Sequence, residues 1–295
     1  MYIYGCFSDF YAKALPYIKE ISMAVNHNVE KIGSNIKIKM ALMSGWFEGL
    51  SHVEMVEQVA AYGFPAFENL GAGTWEDKDA VRQACEKFGV ECGAISCGGT
   101  INGDGPVNPA YHDQFEKLVK EAIANGKALG TKVLLALTGA QRFDMTVEQQ
   151  MENVAVASKR VAPYLEDAGM TMVFETLNVK VDHAGYMLVT SKQGAELAKM
   201  VGSPNVKFLF DVYHQQISEG DVCRNIKTYI NEIGHFHFGD NPGRHEPGTG
   251  ELNYKAIFKT IAESGYKGIV SAEFSRTKTL LVEDLLRILA DVAMW

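Results

Sequence analysis

Four short runs in the second half of the chain each end on a side chain that can hold a metal ion or a proton. They are Val173-Phe174-Glu175, Leu209-Phe210-Asp211, His235-Phe236-His237 and Ser271-Ala272-Glu273. One apolar strand ending on a carboxylate is ordinary, since a solvated end or an ion pair accounts for it. Four in succession are not. Adjacent parallel strands lie about 4.8 Å apart, so their ends can converge on one ion. Three carboxylates gathered there without a cation would repel one another and raise their own pKa values, a conflict that a divalent metal removes. The expected ligands are Glu175, Asp211, His237 and Glu273. Three hard oxygens and one nitrogen favour Mn2+ or Mg2+, with Co2+ or Zn2+ as replacements. In His-Phe-His, strand alternation is expected to send one imidazole inward and the other away. His237, nearer the strand end, is the expected ligand, and His235 is expected behind the barrel wall.

Two further residues suit a polar substrate beside such an ion. His214 follows Asp211 by three residues, so a turn after the strand brings both to one pocket. Arg244 lies in the loop DNPGRHEPGTGE, whose glycines and prolines shape a defined segment, and its guanidinium suits a carboxylate, phosphate or hydroxyl. Glu68 and Trp46 follow earlier strands. Glu68 is expected to be structural, paired with a Lys or Arg, and Trp46 to pack in the core.

The elements that must position these residues alternate from Ile38 onward. Strands are predicted near 38–44, 65–69, 90–96, 131–137, 170–175, 205–211, 233–238 and 268–273. Most are near-continuous apolar runs, as parallel strands covered by helices should be. Between them, Ser51…Glu54, Thr146…Gln149 and Thr190…Gln193 are capping boxes, in which side chains satisfy the orphan amides of a helix start. Eight units of about 30 residues close most economically into a (β/α)8 TIM barrel. A doubly wound sheet would announce a glycine-rich phosphate loop after its first strand, where this chain has GWFEGLS. Residues 37–295 form the expected catalytic domain. Residues 1–36 stand outside the repeat, and Pro16 divides them into two short expected helices, a helical N-terminal extension.

Composition narrows the function. The 295 residues carry a net charge of −8, which argues against a nucleic-acid partner. Five cysteines without a C-x-x-C pair suit a reduced, cytoplasmic protein with no thiolate zinc site. No apolar run approaches the roughly 18 residues of a membrane span.

The segments FETLN, FDVYHQQISEGD, GHFHFGDNPGRHEPGTGELNY and GYKGIVSAEF resemble the sugar isomerase/epimerase barrels that include hydroxypyruvate isomerases and ketose 3-epimerases. The pattern P-G-R-x-E-P-x-x-G-E-L is closest to the hydroxypyruvate isomerase type. This resemblance implies one divalent metal held by Glu175, Asp211, His237 and Glu273. It also implies that Glu175 and Glu273 are an acid/base pair and that His214 and Arg244 contact substrate oxygens. The implied activity is isomerisation or epimerisation, through an enediolate, of a small keto-sugar or hydroxy-keto acid. A lyase or dehydratase using the same proton abstraction is the alternative, and the sequence leaves room for a homo-oligomer. The chain departs from the family at Val179–His183, where an Arg or extra Glu is usual, and at His237, where some hydroxypyruvate isomerases carry Gln. The related apurinic-site endonucleases need extra histidines where this chain has Glu68-Asn69, Ser96-Cys97 and Asp240-Asn241-Pro242.

Overall fold

Two neighbouring strands, β7 (Val206–Asp211) and β8 (Ile233–Phe238), show how these residues make the sheet in the computed structural model, which describes residues 25, 26 and 28–295. Successive side chains of a strand point to opposite faces. The register pairs Phe210 with Phe236 and Asp211 with His237, so phenylalanines share one face and polar groups the other. The phenylalanine face meets the helices: Phe238 packs edge-on to Phe258 with ring centroids 5.1 Å apart. The opposite face turns inward, where Leu209 packs with Ala94, Leu135 and Val173 in a small cluster separate from the main core.

The remaining strands are β1 (Lys39–Met43), β2 (Ala66–Glu68), β3 (Glu91–Cys92), β4 (Ile95–Gly98), β5 (Val133–Ala136), β6 (Thr171–Glu175) and β9 (Ile269–Ala272). All pairings are parallel, in the order β3-β2-β1-β9-β8-β7-β6-β5-β4. Eight strands were expected, and the third is split in two. Gly93 N–H still bonds Phe67 O across to β2 at 2.8 Å, after which the chain swings to pair with β5. The two ends of the sheet are thus halves of one run, and the sheet closes into a TIM barrel. Gly93 is required at the break, because a Cβ there would lie 2.3 Å from Glu68 Oε2.

Nine α-helices are described: α1 (His52–Ala61), α2 (Lys78–Phe88), α3 (His112–Leu129), α4 (Val147–Ala168), α5 (Ser191–Val201), α6 (Val212–Ser218), α7 (Val222–Tyr229), α8 (Tyr254–Glu263) and α9 (Val282–Val292). The three expected capping boxes start α1, α4 and α5, each with both reciprocal bonds present. The helices expected on either side of Pro16 lie outside the described residues. The part of the extension that is described contains no helix. It packs Val29, Ile32 and Ile36 on the core and ties Gly33 N–H to Tyr62 O at 2.9 Å. No helix among the described residues is long and apolar enough to cross a membrane.

Candidate active site

Barrel chemistry gathers where the strands end, and four of the expected residues meet there. Glu175 closes β6, Asp211 closes β7, His237 lies one residue from the end of β8, and Glu273 follows β9 with its N–H bonded to Phe238 O at 2.9 Å. One donor atom from each lies within 4.8 Å of all the others. His237 Nδ1 is 2.9 Å from Glu273 Oε2 and 3.7 Å from Glu175 Oε1.

Crowding shows in the proton affinities. Burial, and then the neighbouring Glu273, pushes the Glu175 carboxyl up to about 7. Burial acts in the same sense on Glu273, but His237 and Arg244 outweigh it and hold that carboxyl down at about 2. Burial works against protonation of the His237 imidazole, but Glu273 and Glu68 outweigh it and hold the ring well above its ordinary value. Glu175 Oε1 is buried without a hydrogen-bond partner. An orphaned carboxylate oxygen among two further carboxylates and an imidazole suits one hard divalent cation. The cluster already draws a positive charge, since Arg244 Nη2 lies 3.0 Å from Asp211 Oδ2 and 2.6 Å from Glu273 Oε2.

Arg244 is aimed by its loop. Buried Asp240 accepts hydrogen bonds from the N–H groups of Asn241, Gly248, Gly250 and Leu252, so the glycine-rich segment wraps around one carboxylate. At the apex, Arg244 takes a left-handed conformation, φ 54°, and its guanidinium sits 5.1 Å from the centre of the Tyr213 ring. His214 lies in the first turn of α6, whose N-cap is Asp211. Its side chain is buried, with Nε2 3.6 Å from Asp211 Oδ2. The structure therefore brings all six expected site residues together.

Two expectations are corrected. His235 does not lie behind the wall: residues two apart in a strand share a face, so both imidazoles of His-Phe-His point inward. Nor does Glu68 pair with a Lys or Arg. Its buried carboxylate lies 2.9 Å from His235 Nε2 and 2.8 Å from His237 Nε2, and it accepts from Ala94 N–H and Ser271 Oγ. Burial pushes this carboxyl up, but the two imidazoles outweigh it and hold it well below the usual range. The missed signal was Ala66-Phe67-Glu68, the same apolar-then-acidic ending as β6 and β7. Trp46 packs in the core against Phe274 at 5.1 Å, as expected.

A cavity of about 280 Å³ opens beside the cluster, lined by Ser44, Glu68, Asn69, Gly71 and Glu273 among others. Another of about 220 Å³, lined by Lys37, Lys39 and Lys267, lies where the strands begin and contains none of the donors.

A family profile described as xylose isomerase-like TIM barrel matches residues 56–292. The chain belongs to this family. It is similar to hydroxypyruvate isomerase of Escherichia coli (strain K12), 33% identical over 171 residues, 58% of this chain and 66% of that one. It is also similar to 2-oxo-tetronate isomerase of Cupriavidus necator, 40% identical over 124 residues, 42% of this chain and 46% of the relative. The chain thus spans just under two-thirds of the first relative and under half of the second. A solved AP endonuclease, family 2, from Brucella melitensis superposes with a TM-score of 0.72 at 26% identity, covering 80% of this chain and 93% of that one.

Proposed function

We propose that this member of the xylose isomerase-like barrels is a cytoplasmic, divalent-metal-dependent isomerase or epimerase of a small keto-sugar or hydroxy-keto acid. The convergence of Glu175, Asp211, His237 and Glu273 beside Arg244 and His214 carries this reading. The names of the two isomerase relatives support it, and a cavity of about 280 Å³ suits a small substrate. The net charge of −8 and the absence of histidine at the end of β2 do not favour the DNA-repair activity named for the Brucella protein.

Glu175, Asp211, His237 and Glu273 would hold Mn2+ or Mg2+. The ion supplies positive charge beside a carbonyl, which acidifies the neighbouring C–H and favours an enediolate. One of Glu175 and Glu273 removes that proton, and one of the two returns it. Return to the other face of the same carbon gives an epimer, and return to the neighbouring carbon, with the hydroxyl proton passing to the former carbonyl oxygen, gives an aldose–ketose shift. Arg244 offers a planar fork of donors to a substrate carboxylate or hydroxyl.

The test is turnover of hydroxypyruvate, 2-oxo-tetronate and four- to six-carbon ketoses in D2O by the Mn2+-loaded protein. Product mass should equal substrate mass apart from deuterium, whereas loss of a leaving group would point to a lyase. Glu175→Gln and Glu273→Gln should each abolish deuterium uptake at the substrate carbon. Normal exchange in both variants would overturn the assignment.

A further inference from the structure

Asn178, the last residue of FETLN, precedes the turn Val179–His183 where the chain departs from the family pattern, and in this structure it does defined work on His214. Asn178 is fully buried. Its Oδ1 accepts hydrogen bonds from the backbone N–H groups of Val181, at 3.0 Å, and Asp182, at 3.2 Å. Backbone N–H groups can only donate, so this end of the amide is oxygen and the other is the NH2 group. That group is satisfied on both sides: Asn178 Nδ2 lies 2.7 Å from Asp182 Oδ2 and 2.6 Å from His214 Nδ1. The backbone N–H of Asn178 also points at His214 Nδ1, at 3.5 Å.

Two donors converge on Nδ1, so Nδ1 must accept, and the proton of the neutral imidazole must sit on Nε2. His214 Nε2 is buried, has no hydrogen-bond partner, and lies on the side of Asp211 and the metal-type cluster. We infer that Asn178 is a positioning residue that locks His214 as its Nε2–H tautomer. The imidazole then serves as a neutral hydrogen-bond donor to a substrate oxygen, and not as a proton-transfer base. This rests on the reading of the site as an isomerase or epimerase centre. A donor fixed before reaction costs no reorganisation as negative charge grows on the oxygen, which is where such a contact contributes most.

The experiment is two-bond ¹H–¹⁵N correlation of the full chain labelled at histidine nitrogens, with His214→Gln used to assign the ring. Wild type should show His214 with a protonated Nε2 and a bare Nδ1 at neutral pH. Asn178→Asp replaces the donor by an acceptor and should move a proton onto Nδ1. With a turned-over substrate, kcat/KM in that variant should fall by about 10²–10³, the usual loss for one preorganised donor. Val181→Ala alters an exposed side chain in the same turn, keeps the N–H that Asn178 Oδ1 accepts, and should match wild type in both readouts. A wild-type ring protonated at Nδ1, or an unchanged pattern in Asn178→Asp, would overturn the inference. Should Asn178→Asp not fold, the wild-type spectrum alone decides the tautomer. If none of the candidate substrates turns over, the isomerase reading fails while the tautomer result still stands or falls by the spectra.

Discussion

Glu68→Gln is the most informative single substitution, because the hydrogen-bond inventory dictates how the new amide must sit. In the wild type, Glu68 Oε2 faces three donors: Ala94 N–H at 2.6 Å, Ser271 Oγ at 2.8 Å and His235 Nε2 at 2.9 Å. Oε1 faces only His237 Nε2, at 2.8 Å. The single carbonyl oxygen of glutamine must take the Oε2 place, since the Ala94 N–H can do nothing but donate. Its NH2 group then confronts His237 Nε2. To hold a metal, Nδ1, which here donates to Glu273 Oε2 at 2.9 Å, must give up its proton and leave the remaining one on Nε2, facing residue 68. Two N–H groups facing each other disfavour that form, so the glutamine holds the proton on Nδ1 and withholds its lone pair from a metal.

Replacing the outer partner of a metal-binding histidine weakens affinity by about 10–100-fold, or roughly 1.4–2.8 kcal/mol. Isothermal titration of chelator-stripped protein with Mn2+ at fixed pH reads this directly. Ser271→Ala removes one donor from Oε2, leaves the His237 contact in place, and should leave affinity unchanged. The reasoning is refuted if Glu68→Gln melts cooperatively and binds Mn2+ as wild type does, or if both variants lose affinity equally.

Other outcomes follow from the same coordinates. Gly93→Ala would place a Cβ 2.3 Å from Glu68 Oε2 and 3.0 Å from Glu68 Cβ. It should cost about 1–3 kcal/mol, read as a lower urea midpoint with an unchanged slope, and wild-type stability would deny the close approach. Thr146→Ala deletes the cap that accepts from Gln149 N–H at 3.2 Å. The expected loss is about 1 kcal/mol in the same assay, with Mn2+ affinity unaltered. Arg244→Lys keeps the charge but not the planar fork, so kcat/KM should drop by roughly 10–100-fold while the melting temperature changes little. Equal kinetics would remove Arg244 from substrate contact.

What could be read along the chain was local. Alternating apolar runs and capping boxes located the strands and the starts of α1, α4 and α5, because periodicity and caps depend on residues within a few positions of one another. The donor set was legible for a related reason: in a parallel barrel every strand presents its C-terminal end to the same mouth, so the last residue of each run is already assigned to one place. The two-residue repeat also put both histidines of β8 on one face, a consequence open to sequence reasoning that the initial expectation reversed.

Contacts between distant segments were of another kind. Glu68 meets His235 and His237 across 167 and 169 positions of chain, Asn178 meets His214 across 36, and the space beside Gly93 is taken by the carboxylate of Glu68. Which nitrogen of an imidazole holds the proton depends on what faces each side of the ring. Only closure of the sheet brings those groups face to face, so residue type and spacing pointed to the residues that cluster, and the folded barrel decided which polar groups face them.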